Sequence, residues 1–155
     1  MRRAPYRDPL QALYTKQTWT VDALTAELAH ANAAAAVHER KLGELGARRL
    51  SLLEQLKRAR DGALDLALDQ RLQDYLGQIE AERLQAQRSL DDARAQCDAV
   101  REQLVSAHRL LDGYARRREN GRAEHEREGI AMSIKEADDA WLLRRPATGE
   151  IDDRV

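Results

Sequence analysis

The sequence predicts an all-α fold: a two-helix antiparallel coiled-coil hairpin with a longer, overhanging C-terminal helix. Three observations predict it. Two long runs of apolar residues recur at 3-4 spacing, a single turn signal separates them, and the composition suits long helices. Of 155 residues, 26 are Ala, 22 Leu, 22 Arg, 13 Glu and 4 Lys, so about 56% belong to the types that dominate coiled coils. Val, Ile and Thr together number 14 and Phe is absent, which leaves a sheet without its usual material. Three Pro and eight Gly supply little turn chemistry for a many-element globule. A compact enzyme core is therefore not expected.

The elements follow in order. Residues 1–9 read as a flexible N-terminus, because Pro5 and Pro9 delay the first helix. Residues 10–60 read as the first coiled-coil helix. Its seam runs Leu10, Tyr14, Gln17, Val21, Leu24, Leu28, Ala31, Ala35, His38, Leu42, Leu45, Arg49, Leu52, Leu56 and Ala59, without a break in register. Residues 61–65 read as a tight turn: Asp61-Gly62 is a turn signal, Gly62 suits a helix C-terminal cap, and Asp65 suits an N-cap. Residues 66–145 read as the second helix, with a seam of Leu72, Leu76, Ile79, Arg83, Ala86, Leu90, Ala93, Cys97, Val100, Leu104, Ala107, Leu111 and Tyr114. Repeats this long favour a left-handed coiled coil.

Antiparallel pairing about residue 64 sets Leu56 on Leu72, Leu52 on Leu76, Leu42 on Ala86, Leu28 on Val100 and Leu24 on Leu104. The hairpin from Tyr14 to Leu56 then extends roughly 63 Å, at 1.5 Å per residue. At its centre Ala31 faces Cys97 and Ala35 faces Ala93. The first helix runs out opposite residue 118. Beyond it, 116–129 hold mixed charges such as Arg122 and Glu126 at helical spacing, which keep a helix solvated. Arg116-Arg117-Arg118 reads as part of that solvated face. Residues 146–155 read as a flexible tail.

The chain has one cysteine, Cys97, which excludes an internal disulfide and fits a reducing compartment. No apolar run reaches the roughly 20 residues of a membrane span, and no secretory signal is visible. The formal net charge of −1 is unlike that of a nucleic-acid binder. His30, His38, His108 and His125 lack zinc-ligand spacing, so no catalytic residues, metal site or cofactor are expected. His38 and Cys97 read as seam residues.

Three features are harder to explain as scaffold. Arg49 and Arg83 occupy adjacent seam layers, where such residues fix register while their stems lie along the seam. Leu50, Leu53, Leu64, Leu66, Leu68, Tyr75 and Leu84 lie off the seam near the turn, either as tip packing or as a docking patch. Ile130, Ile134, Ala137 and Trp141 form a one-face stripe on the overhang. It either folds back near Tyr6, Leu13 and Trp19 or awaits a partner, and the partner is favoured.

This pattern resembles the FliJ/YscO family, the central stalk proteins of flagellar and injectisome type III export ATPases. The resemblance covers residues 10–146. It is clearest in the segment from Arg71 to Glu80, with Tyr75 and Ile79, and in the Lys135, Asp138-Asp139, Trp141 and Arg144-Arg145-Pro146 ending. It implies a non-enzymatic, cytoplasmic stalk, peripherally associated with an inner-membrane export apparatus. The stalk would insert in a hexameric ATPase ring, promote ring assembly and activity, and link the ring to the export gate. The implied ring contacts are Ile130, Ile134, Lys135, Asp138, Asp139, Trp141, Arg144 and Arg145. The implied gate or chaperone contacts are Leu45, Leu52, Leu53, Tyr75 and Ile79. Glu82 and Ala86 depart from the family's gate-facing pattern, and the first helix lacks the tyrosines of flagellar relatives, a lean toward an injectisome member. The competing class is a generic coiled-coil adaptor or homodimeric tether without an ATPase partner.

Overall fold

The computed structural model describes residues 4–63 and 65–144. It is all-α: α1 spans Gln11–Asp61 and α2 spans Leu66–Arg144, packed antiparallel, with α2 the longer at 79 residues against 51. The chain forms two compact units, Thr18–Arg109 and the combination of Met1–Gln17 with Leu110–Val155.

Within Thr18–Arg109 the core is the 3-4 stripe of each helix. Val21, Ala35, Leu45, Leu52 and Leu56 are buried on α1, and Ile79, Ala86, Leu90, Cys97, Val100 and Ala107 on α2. Leu24, Leu28, Leu42, Leu72, Leu76 and Leu104 are half-buried. One cluster joins Leu45, Leu52, Ile79 and Ala86, with Leu42, Leu72 and Leu76 packed against it. A second joins Ala35, Leu90 and Cys97, flanked by Leu28, Ala31 and Ala93. Two helices provide only one shared seam, so few side chains are fully enclosed; Ile79 and Val100 are the most buried, each 1% exposed.

The turn is held by polar contacts. Asp65 caps α2, its Oδ1 accepting from the backbone N–H groups of Ala67 (3.0 Å) and Leu68 (3.3 Å). Gly62 follows the end of α1 without the left-handed backbone that usually makes glycine the terminator. Arg60, in the last turn of α1, reaches across to donate to both carboxylate oxygens of Asp69, at 2.7 and 3.3 Å. The Arg60 hydrogen bond, against the opposing effect of burial, holds the Asp69 carboxyl below its ordinary value. Each charge also sits at the helix end whose dipole favours it.

Gly77 lies mid-helix, with nothing within 4 Å of where a Cβ would stand. Gly77→Ala is expected to raise stability by about 0.5–1 kcal/mol, since it removes glycine's entropic cost without a clash. A denaturant midpoint shift with unchanged slope would show it.

Candidate functional surfaces

The two seam arginines share one carboxylate that the seam pattern does not reveal. Arg49 Nε donates to Glu80, and Arg83 Nη1 donates to the other Glu80 oxygen at 3.1 Å. The Arg49 hydrogen bond leads in holding Glu80 below its ordinary value, against burial. Both guanidinium side chains are about one-third exposed, so their stems line the seam while the charged ends meet at its edge. Across the middle of this unit Arg94 donates to Glu39 at 2.9 Å.

At the turn-proximal end, the sequence-derived contact residues separate by burial. Leu45, Leu52 and Ile79 are in the seam, 3%, 6% and 1% exposed, and their surface is used by the partner helix. Leu53 is half-buried and Tyr75 is exposed. Leu50, Leu66, Leu68 and Leu84 are also exposed, so these side chains do not pack over the tip. Leu64 lies outside the described residues.

In the other unit the N-terminal segment is fastened to α2, and Arg118 is the fastening. Its guanidinium pairs with Asp8, donates to Gln11, and lies 4.3 Å from the centre of the Tyr14 ring. Only 15% of the Arg118 side chain is exposed, which corrects its reading as part of a solvated face. Asp8 Oδ1 also accepts from the Leu10 N–H at 3.0 Å, which shapes the entry to α1. Further along, the Tyr6 ring packs at 5.3 Å from His125. The Tyr6 hydroxyl lies 2.6 Å from where a Cβ on Gly121 would stand, so the bare Gly121 backbone gives the ring its room. Contacts to α2 thus reach His125, beyond the limit near residue 118 expected from helix pairing. The extra partner is the non-helical segment before α1.

Burial opposes ionisation of Asp8, but the Arg118 and Leu10 hydrogen bonds and the Arg118 and Arg122 charges outweigh it and hold the carboxyl below its ordinary value. A carboxylate lowered on folding contributes stability above its unfolded value of about 3.9 and loses it as pH falls through the lower folded value. Acidification below about pH 4 is therefore expected to release this segment. The Leu10 amide resonance reports it, and in Asp8→Ala the same resonance should already be in the released position at neutral pH.

Past His125 the apolar stripe of α2 is exposed. Ile130 is 61%, Ile134 57% and Trp141 61% exposed, and Ala137 lies on the same face between them. Ile130, Ile134 and Ala137 line a shallow surface with Gly129, Ser133 and Glu126. Met132, Leu142 and Leu143 add exposed apolar area off the stripe. Of the N-terminal residues, Leu13 is itself exposed and Tyr6 packs on His125. Lys135, Asp138, Asp139 and Arg144 are exposed around it; Arg145 and the tail 146–155 lie outside the described residues. Ile130, Ile134, Trp141, Leu142 and Leu143 are thus each more than half exposed, and exposed apolar surface of this kind marks candidate interaction sites.

Among the described residues no His, Cys, Asp and Glu side chains cluster as a metal site, and no helix is long and apolar enough to cross a membrane. Cys97 is a free, buried thiol in the seam, and His38 is half-buried on α1.

A family model described as the flagellar FliJ protein matches residues 6–139. No curated protein and no solved structure matches the chain. The match is to the flagellar family and lends nothing to the lean toward an injectisome member drawn from the missing tyrosines. It begins at Tyr6, the residue seated on His125 and Gly121, takes in both packed stretches of helix, and continues through Ala137 of the exposed stripe. The chain belongs to the FliJ family, non-catalytic coiled-coil hairpin proteins that serve as stalks in type III secretion.

Proposed function

We propose that the C-terminal part of α2 inserts into the ring of a hexameric type III secretion ATPase, promotes ring assembly and turnover, and that the turn-proximal end is directed to the export gate. The observation that carries this reading is the exposed stripe Ile130, Ile134, Ala137 and Trp141, on the longer helix of a chain whose family supplies ATPase stalks. Trp141 is the apolar anchor, and Lys135, Asp138, Asp139, Arg144 and Arg145 are the charged contacts around it. One helix with one apolar face cannot meet six equivalent subunits alike. It biases the ring by binding some subunit states more tightly than others, which is the only way a ligand shifts such an equilibrium.

For the gate or an export chaperone, Tyr75 and Leu53 are the proposed contacts with surface to offer, while Leu45, Leu52 and Ile79 support them from the seam. The protein then works on the cytoplasmic side of the inner-membrane export apparatus. Titrating the full chain into its cognate ATPase tests the reading. Hexamer population and ATP turnover should rise together and saturate at one chain per ring. A chain that neither co-purifies with the ATPase nor changes its turnover would return the protein to the adaptor class.

A further inference from the structure

α1 carries a second 3-4 stripe, on the side turned away from α2. It begins at Trp19 and ends at Leu50, 68% and 65% exposed. Between them stand Ala26, Ala29, Ala33 and Ala36, then Gly43 and Ala47, all exposed. The stripe has only two charged members, Asp22 and Arg40, of opposite sign. Neither is in an ion pair among the described residues. The outward side of α2 in this unit is different in kind, interrupted by Arg88, Asp91, Asp98, Glu102 and Arg109.

We infer that this outer face of α1 binds a second copy of the same face, antiparallel, about a two-fold axis at position 31. The pattern is self-complementary in that one arrangement. With the axis there, Asp22 of each copy meets Arg40 of the other, so the stripe's only two charges are paired twice. Ala26 meets Ala36 and Ala29 meets Ala33, small side chains that let two helices approach closely. Trp19 meets Gly43, where nothing lies within 4 Å of an added Cβ and the indole finds an open backbone.

The neighbouring registers lack this match. A shift of one heptad sets Asp22 on Ala33 or on Ala47 and leaves both charges unpaired. A parallel pair sets Asp22 on Asp22 and Arg40 on Arg40, where like charges repel. The contact extends about 36 Å from Trp19 to Gly43 at 1.5 Å per residue and is isologous, so it closes as a dimer. Each protomer keeps its own hairpin, unlike a zipper of single helices. The inference does not rest on the stalk reading, since the face lies wholly within Thr18–Arg109.

Sedimentation velocity of the full chain over a wide concentration range tests it. Mass should rise with concentration from 17.6 kDa toward twice that value. Asp22→Arg should weaken dimerisation about tenfold or more, as should Arg40→Asp, each setting like charges opposite each other. The double variant restores both pairs and should bring the dimer back. Both substitutions are on exposed helix surface, and circular dichroism checks that each of the three variants is folded. A chain monomeric throughout overturns the inference. So does a dimer indifferent to the single reversals, or a double variant no better than either single one.

Discussion

A chain ending at residue 129 is expected to lose all stimulation of the cognate ATPase while keeping its thermal midpoint within a few degrees of the intact protein. The deletion removes Ile130, Ile134, Lys135, Asp138, Asp139, Trp141 and Arg144, all exposed, and leaves both core clusters intact. Among the described residues nothing buried is lost, so little stability should be. Trp141→Ala alone tests whether the apolar anchor dominates: a hot-spot Trp contributes about 2 kcal/mol or more, a roughly 30-fold weaker association with the ring. If the truncated and intact chains stimulate equally, the ring-contact assignment is wrong. If truncation also melts the hairpin, the stripe is structural after all.

The hairpin is legible in the sequence because a coiled coil repeats one physical demand. Each apolar residue must return to the same side every 3.5 positions, so Leu45, Leu52, Ile79 and Leu90 can be found by counting. Arg49 and Arg83 are legible as interruptions for the same reason, but Glu80 is not, because it stands one step off the counted positions and matters only through its pairing. The Arg118 fastening escapes counting altogether. Its partner Asp8 lies in a non-helical segment with no periodicity, and three consecutive arginines followed by Glu119 read as solvated charge. The outer stripe of α1 is hidden by residue size, since alanine is the commonest helix former and a row of it reads as propensity. Exposure separates it: the seam alanines Ala35 and Ala86 are buried, whereas Ala26, Ala29, Ala33 and Ala36 are not. Of the candidate gate residues, Leu45, Leu52 and Ile79 are legible by counting because they are seam residues, whereas Tyr75 and the charged ring candidates are legible only as a motif, because exposed side chains leave little trace in the chain's own packing.

Ile79→Asp is expected to unfold the turn-proximal hairpin, and comparison with Tyr75→Ala separates a seam role from a surface one. Ile79 is 1% exposed and belongs to the cluster with Leu45, Leu52 and Ala86. Truncation to Ala there costs about 2–5 kcal/mol, and a buried carboxylate with no partner costs more. Against a total stability of about 5–15 kcal/mol for an ordinary domain, the Asp variant should lose most of its helical signal at physiological temperature. Tyr75, four residues earlier and 45% exposed, should change stability by no more than about 0.5 kcal/mol when cut to Ala. A variant that still folds but binds the export gate or a chaperone less tightly identifies a contact surface, and Tyr75→Ala is the one positioned to give that result. If Ile79→Asp stays folded, its side chain is not enclosed between the helices, and the antiparallel seam at this end is misassigned.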